Sequence, residues 1–216
     1  MNRKNQRNEV KIDTNWVPKT TLGKKVLAGD IINMEQIYES NLAVLEPEII
    51  DRLVPNLNEE VLDIRTVQRT TDSGRKGSFA VTVAIGNNDG YVGVGTGKGS
   101  EVRPTIERAI KNAKKNLIHV RRGCGSWECR CDNPHSIPFT VNGRESSVRV
   151  ELMPAPKGTG IAAGEAARKV LELAGVRDVW SRATGKTSTT LNFSMATLAA
   201  LRKTRTTKLK KDVGNI

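Results

Sequence analysis

The sequence is poor in three kinds of side chain that carry chemistry in many proteins: cysteine, histidine and the aromatics. Among its 216 residues there are three cysteines and two histidines, and aromatic residues make up 4% of the chain. An odd number of cysteines argues against a disulfide framework and favours a reducing compartment, so we expect a cytoplasmic protein. So few aromatic side chains also argue against a surface on which single-stranded bases stack.

Long apolar runs and catalytic constellations are missing as well. No stretch approaches the roughly 20 apolar residues that a membrane-spanning helix requires. The N-terminal stretch MNRKNQRNEVKIDTNW has basic side chains but no apolar core segment, so we do not expect a secretory signal there. There is no G-x-S-x-G nucleophile elbow and no acidic pair at a strand end, so an enzyme is not expected.

Positive charge is what the chain has in excess. It contains 35 Lys and Arg against 23 Asp and Glu, which gives a formal net charge of +12. Neutralising phosphates supplies much of the affinity of nucleic-acid-binding proteins, so nucleic acid is the expected partner. A soluble basic protein without such a partner is the alternative.

The first 58 residues are predicted to form an arm and two helices. Residues 1–28 are polar and basic with little periodicity, which predicts an extended arm. INMEQIYES and PEIIDRLVP carry apolar residues at helical spacing, which predicts a short helical pair over 29–58. Pro47 is placed to start the second helix, and Pro55 to end it.

From Glu60 the apolar residues recur with a period of two. VLDIRTVQRT, SFAVTVAIG and GYVGVGTGK predict three antiparallel strands, joined by turns at DSGRKG and NNDG. A helix is predicted over EVRPTIERAIKNAKKNLIHV, with Ser100 as its N-cap. Its predicted apolar stripe consists of Ile106, Ala109, Ile110, Ala113 and Leu117.

A second set of elements follows the cysteines. SIPFTVNG and SSVRVELMP predict a hairpin, PAPKGTGIAAG a glycine-rich loop, and EAARKVLELAG a helix that ends at Gly175. DVWSRATG predicts a strand, and TLNFSMATLAALRKT a last helix. The predicted fold class is therefore α+β, with two small domains: a three-stranded antiparallel sheet with a helix over 59–120, and a β-α domain over 137–204. A cysteine-rich junction over 121–136 and a basic tail over 205–216 complete the predicted organisation.

Three glycine-lysine stretches invite a nucleotide-binding interpretation. A P-loop requires Gly, four residues, then Gly-Lys and Ser or Thr. GVGTGKG fails because Lys98 is followed by Gly99, and ATGKTST fails because Trp180 occupies the position of the first glycine. Both stretches are better interpreted as turns or closely packed backbone.

KGTGIAAGEAARK fits a relaxed dinucleotide fingerprint more closely. Gly158, Gly160 and Ala163 have the spacing, and Asp178 follows about 20 residues on. Two prolines in MPAPK nevertheless separate the strand from the glycines, where the fingerprint needs a tight turn. We expect bare backbone amides here, beside Lys157, that accept a phosphate of any origin. A nucleotide-dependent enzyme that uses this loop is kept as an alternative.

Two long stretches resemble a known family. RTTDSGRKGSFAVTVAIGNNDGYVGVGTGKGSEVRPTIERAIKNAKKNLI and PAPKGTGIAAGEAARKVLELAGVRDVWSRATG are similar, in order, to the universal small-subunit ribosomal protein number five family. The resemblance covers about residues 60–204, and the preceding part resembles the archaeal and eukaryotic branch. It implies a first domain akin to double-stranded-RNA-binding folds and a structural protein of the small ribosomal subunit. A free RNA-binding regulator outside ribosomes is the remaining alternative.

The resemblance also implies partners and contact positions. It implies binding to rRNA near the mRNA entrance, a contribution to subunit assembly and decoding accuracy, and ribosomal proteins number four and eight as neighbours. Residues 72–77 resemble the family's protruding loop, and residues 157–160 its rRNA-contacting loop. The expected mode is phosphate and shape recognition of folded RNA. The candidate RNA-contacting residues are Arg69, Ser73, Gly74, Arg75, Lys76, Lys98, Arg103, Lys111, Lys115, Arg121, Arg122, Lys157, Gly158, Thr159 and Lys186.

The stretch GCGSWECRCDNPH holds all three cysteines and one histidine. Cys124, Cys129, Cys131 and His135 offer the four ligands of a structural zinc site, although one residue between two cysteines is shorter than the usual spacing. Because the segment has almost no apolar residue besides Trp127, metal bonds would replace a missing core. We therefore predict zinc here, with Arg121, Arg122 and Arg130 presenting charge to rRNA. The alternative is three reduced thiols and a loop histidine without metal.

Overall fold

The computed structural model describes residues 16–40, 42–129, 131 and 133–207. The chain divides into two compact units, Met1–Leu57 and Asn58–Ile216. The predictions for residues 1–15, for Arg130 and for the tail beyond residue 207 lie outside the described residues. No helix in the described part is long and apolar enough to cross a membrane.

The first unit contains three short helices: α1 (Thr21–Ala28), α2 (Met34–Glu39) and α3 (Pro47–Leu53). The two predicted helices are confirmed, and Pro47 lies in the first turn of α3. The extended arm is wrong for residues 21–28, which form α1. Thr20 caps that helix by accepting from Gly23 N–H at 3.0 Å, and Gly29 ends it at φ +88°.

A contact between residues far apart in the sequence explains why local sequence patterns did not predict α1. The Glu46 carboxylate accepts backbone N–H groups of Lys19 at 2.9 Å and Thr20 at 2.7 Å, just before the helix begins. A negative charge at a helix N-terminus is stabilising. Within α1 itself, Leu22 and Val26 are the only buried apolar side chains, which is too short a stripe to predict a helix.

The second unit begins with a four-stranded antiparallel sheet in the order β1 (Asn58–Thr71), β2 (Gly74–Gly86), β3 (Tyr91–Gly99) and β4 (Ile118–His119). The predicted meander is confirmed. The predicted turn over 72–77 is shorter than expected, because β2 already begins at Gly74. The two-residue β4 was not predicted, since two residues carry no periodicity.

Helix α4 (Val102–Lys115) packs on β2 and β3. It lies so close to β3 that a Cβ at Gly95 would be 2.2 Å from the Ala113 backbone nitrogen. The glycines of GVGTGKG therefore serve close packing, as interpreted. Ser100 is not the N-cap; Glu101 is, without a side-chain capping bond. In the predicted stripe, Ala109, Ala113 and Leu117 are buried, whereas Ile106 and Ile110 are half-buried.

The second sheet has the order β5 (Val141–Glu145), β6 (Val148–Pro154), β8 (Val179–Thr184) and β7 (Ile161–Ala162). Only the β7–β8 pair is parallel. Helix α5 (Glu165–Leu173) ends before Gly175, which has φ +76°, and α6 (Thr190–Thr206) packs on β5 and β6. These elements confirm the predicted hairpin, strand and helices and the α+β class.

The two sheets share one apolar core. Ala84, Val92 and Val94 of the first sheet belong to the same buried cluster as Val150 and Leu152 of the second. The segment that carries the cysteines, between the two sheets, is thus attached to a continuous packed interior. The boundaries predicted at 59–120 and 137–204 stay predictions.

Candidate metal centre and nucleic-acid interface

The cysteine segment is closed by backbone hydrogen bonds at its two ends. Gly123 and Ser136 form an antiparallel bridge, with N···O distances of 2.8 and 2.9 Å. Ser136 is fully buried, so the bridge anchors the segment on the core. This closure brings Cys124, just after the bridge begins, next to His135 at its other side.

All four predicted ligands converge. The Sγ atoms of Cys124, Cys129 and Cys131 and a ring nitrogen of His135 lie within 4.8 Å of one another. Cys129 Sγ is 2.9 Å from Cys131 Sγ, and His135 Nε2 is 3.1 Å from Cys131 Sγ and 3.6 Å from Cys129 Sγ. Two thiolates on one tetrahedral zinc, at about 2.3 Å each, lie about 3.8 Å apart. The donor set therefore fits a tetrahedral ion with shifts of about 1 Å.

Hydrogen bonds among the thiols lower the pKa of one cysteine and raise the pKa of another, and this arrangement favours the binding of a cation. The hydrogen bond with the Cys131 thiol, followed by one from the Lys157 backbone N–H, lowers the pKa of Cys129 to about 6. The same pairing with Cys129, together with burial, raises the pKa of Cys131 to about 11. One thiolate is thus present at neutral pH, and a thiolate is the form that binds metal.

His135 is oriented by a buried carboxylate. Its Nδ1 lies 2.8 Å from Asp178 Oδ2, and both side chains are only 7% exposed. Because a carboxylate accepts, Nδ1 carries the proton, which leaves the lone pair of Nε2 directed at the thiols. Metal-binding histidines commonly have this carboxylate partner.

The glycine-rich loop of residues 157–160 is attached to the same carboxylate. Asp178 Oδ1 accepts the backbone N–H groups of Gly158 at 3.0 Å and Gly160 at 2.9 Å. Both glycines have positive φ, +92° and +73°, which turns their amides inward. The expectation of bare amides that accept a phosphate is therefore wrong for Gly158 and Gly160. Both oxygens of Asp178 are thus engaged within the fold, one by this loop and the other by His135.

The β1–β2 hairpin places one group of candidate cations on a projecting ribbon. Beyond Phe79 no third strand among the described residues pairs with these two, and five residue pairs at about 3.4 Å per residue extend the ribbon by about 17 Å. Arg69 lies directly opposite Lys76, and Arg75 is opposite Thr70. The turn consists of Asp72 and Ser73, with Gly74 at φ +135°. All of these side chains are exposed.

The other candidates lie on separate surfaces. Lys98 is exposed on β3, and Arg103, Lys111 and Lys115 are exposed along α4. Lys186 is exposed just after β8, at the end of that strand opposite to the 157–160 loop. The structure therefore does not bring all fifteen candidates together.

Two arginines beside the cysteines already make contacts within the fold. The Arg122 guanidinium forms an ion pair with Asp89, and its side chain is half-buried. Arg121 is half-buried, and its backbone N–H donates to Thr204 Oγ1 at 3.1 Å. Among the candidates, exposed Lys157 lies beside a candidate metal ligand, because its backbone N–H helps to lower the pKa of the Cys129 thiol.

Several arginine side chains were not among the RNA-contacting residues predicted from the sequence. Arg144 and Arg149 lie directly opposite each other on β5 and β6, both exposed. Arg168 and Arg177 line an open cleft of about 680 Å³ together with Thr159 and Gly160. The alternation SSVRVELMP marks Arg149 as outward-facing, but its pairing with Arg144 depends on the hairpin register.

Comparisons with known proteins identify relatives for both sheets. A family model described as "Ribosomal protein S5, N-terminal domain" matches residues 57–121, and one described as "Ribosomal protein S5, C-terminal domain" matches residues 143–213. The first match contains β1–β4 with α4, and the second contains most of the second sheet with both of its helices.

Individual relatives match almost the whole chain. A protein named small ribosomal subunit protein uS5 from Staphylothermus marinus is 54% identical over 189 residues, 88% of each chain. Proteins of the same name are 52% identical over 200 residues in Methanocaldococcus jannaschii (91% of this chain, 92% of the relative) and 54% over 189 in Pyrobaculum islandicum (88% and 94%). These organisms are archaea, and the names denote ribosomal proteins and not enzymes. The resemblance seen in the sequence is confirmed.

Proposed function

The chain belongs to the ribosomal protein S5 family, and we propose that it is a structural component of the small ribosomal subunit in the cytoplasm. In this role it binds rRNA through phosphate and shape contacts. Small-subunit rRNA and neighbouring ribosomal proteins are its partners. The residues at 59–120 and 137–204 act as two rRNA-binding domains connected by the cysteine segment.

Facing cations on two hairpins are the observation that carries this proposal. Arg69 is paired with Lys76, and Arg144 with Arg149, in the antiparallel registers. Like charges directly opposite each other destabilise a sheet. Among the described residues, none of these four forms an ion pair with a carboxylate. A polyanion such as rRNA would convert this repulsion into attraction.

The projecting ribbon supports a proposal about the location of the chain within the subunit. We propose that residues 72–77 reach toward the subunit head, near the mRNA entrance, and that this contact affects decoding accuracy. Ribosomal proteins number four and eight are the proposed neighbours. The ribbon suits this role because its exposed backbone and cations are available on both faces beyond the third strand.

Co-sedimentation tests the function. The tagged chain, expressed in an archaeal host, is followed through a sucrose gradient after gentle lysis. We expect it to sediment with the small subunit at one copy per particle. Recovery mainly outside ribosomal particles would contradict the proposal and favour a free RNA-binding regulator.

A structural zinc ion is the second part of the proposal. Three thiols and one imidazole are a donor set typical of structural zinc, and the segment closes around the ligand atoms instead of an apolar core. Zinc per chain is measured by elemental analysis of the purified full chain. We expect one ion in the wild type and none in Cys131→Ser, whereas equal zinc in both, or none in either, would contradict the site.

A further inference from the structure

Asp178 is a buried carboxylate that two different parts of the chain share. Oδ2 lies against His135, a proposed metal ligand, and Oδ1 accepts the amides of Gly158 and Gly160. Because the side chain is only 7% exposed, the carboxylate has no substantial access to water. An ionised group so buried is stable only while its hydrogen bonds are made.

From this arrangement we propose that Asp178 couples the metal centre to the RNA-contacting loop, so that the bound ion fixes the conformation of residues 157–160. The inference rests on the proposed function, both for the metal and for the loop. Asp178 is a positioning residue: it touches neither the ion nor RNA, and it acts through His135 on one side and two glycine amides on the other.

Two further contacts connect the proposed metal ligands with Asp178 and with the loop. The Lys157 backbone N–H lies close enough to Cys129 to lower the pKa of its thiol, so the loop also approaches a second proposed ligand. The His135 carbonyl accepts Arg177 N–H at 2.8 Å and Asp178 N–H at 3.2 Å, which fixes the carboxylate relative to the imidazole. The proposed metal ligands and the loop are therefore connected through Asp178, which His135 holds by both its side chain and its carbonyl, and through the approach of Lys157 to Cys129.

The 157–160 loop is held in place mainly by hydrogen bonds on the side that faces Asp178. A Cβ built at Gly158 or Gly160 would meet nothing within 4 Å, so the outer side of these residues is not packed. Apart from Asp178, its hydrogen bonds are a turn from Thr159 to Pro156 and one from Val179 to the Gly160 carbonyl. Removing the ion would free His135 to rotate, and Asp178 would lose the partner that orients it.

The direction of the effect follows from the charge of the ion. A cation on Nε2 makes the Nδ1 proton of His135 more acidic and strengthens its bond to Asp178. A more firmly held carboxylate holds the two glycine amides more firmly. Lys157 and Thr159 then project outward as a fixed pair, with less entropy left to lose when RNA binds.

Amide hydrogen exchange on the purified full chain tests the coupling. Exchange at Gly158 and Gly160 is compared between zinc-loaded protein and protein treated with a chelator, with β6 amides as the reference for global unfolding. We expect exchange to be at least tenfold slower with zinc at the two glycines and unchanged in β6. Equal exchange at the glycines in the two states would overturn the inference.

A pair of variants separates coupling from simple folding. In Asp178→Asn one carboxylate oxygen is replaced by a donor, so the side chain no longer accepts the His135 proton and both glycine amides as well. We expect a 10- to 100-fold loss of zinc affinity, measured by competition with a chromophoric chelator. Asp63→Asn, whose native carboxylate pairs with Arg65, is the matched control and should bind zinc normally.

The outcomes distinguish this inference from the function on which it rests. Wild-type zinc affinity in Asp178→Asn, or no zinc binding by the wild type, would overturn the coupling. Co-sedimentation with the small subunit would stand in either case, because it measures the ribosomal role alone.

Discussion

Glu46 stabilises the start of α1 through two backbone hydrogen bonds, and its ionisation controls that helix. Burial acts to raise the pKa of this carboxyl, but the N–H donors of Thr20 and Lys19 outweigh burial and hold the pKa below its usual value. A carboxyl with a depressed folded-state pKa stabilises the fold above its unfolded pKa, and this stabilisation is lost as pH falls through the folded value.

We therefore expect α1 to loosen selectively in acid. Backbone chemical shifts of α1, followed by NMR from pH 6 to pH 3, should move toward coil values as pH falls through the lowered pKa of Glu46. In Glu46→Gln the helix should be weaker already at pH 6 and should lose this titration. Shifts of α1 that do not depend on pH in the wild type would contradict the role of Glu46.

Gly95 is required for the approach of α4 to β3. A Cβ at this position would lie 2.2 Å from Ala113 N and 2.4 Å from the Ala109 carbonyl, so strand and helix must separate. We expect Gly95→Ala to lower the free energy of unfolding by about 3 kcal/mol or more, as for severe overpacking. Urea denaturation followed by circular dichroism measures the loss.

Gly77 provides the matched control for this substitution. It lies on the projecting ribbon of β2, and a Cβ there would meet nothing within 4 Å. Gly77→Ala should change the free energy of unfolding by less than about 0.5 kcal/mol. Equal destabilisation by the two alanines would show that the effect at Gly95 does not come from its contact with the helix.

At the scale of elements, the β1–β2 ribbon gains little from its own packing and is suited to a partner. We expect Lys76→Gln to leave the free energy of unfolding unchanged or slightly higher, because it removes a like-charge pair with Arg69. Affinity for small-subunit rRNA should fall, and the slope of log K against log salt should decrease by about one.

Lys169→Gln is the control with the same change in charge. Lys169 lies on α5 and is paired with Glu60 at 3.3 Å and Glu165 at 3.7 Å. Its charge is already neutralised within the fold, so its loss should leave the salt slope unchanged. Filter binding across 50 to 300 mM KCl compares the two variants. Equal slopes for them would argue that net charge alone, and not the ribbon, attracts rRNA.

Viewed across the whole molecule, periodic elements were predictable and contacts between distant residues were not. The strands β1 to β3, the β5–β6 hairpin and the long helices follow from apolar spacing. Helix α1 could not be predicted in this way, because the carboxylate that stabilises its start belongs to Glu46, which lies outside the helix. The four candidate metal ligands could be named because they lie in one short segment.

The rest of the site depends on tertiary geometry. Asp178 was noticed only for its spacing from Gly158, and its link to His135 requires the path of β8. The inward amides of the loop likewise follow from that contact, so the sequence suggested a phosphate site where the fold has an internal carboxylate. The facing pair Arg144 and Arg149 requires the hairpin register.

Because the ribbon and the 157–160 loop belong to different sheets, their contributions to rRNA binding should be independent. Zinc removal and Lys76→Gln act on separate surfaces, so their effects on binding free energy should add within about 0.5 kcal/mol. Zinc removal and Lys157→Gln act on one loop, so the second change should have a smaller effect after the first. Filter binding with small-subunit rRNA of six states, namely the wild type, Lys76→Gln and Lys157→Gln, each with and without zinc, measures both cycles. Additive effects in both would contradict metal control of the loop, and strong coupling to Lys76 would indicate that zinc removal disturbs the whole fold.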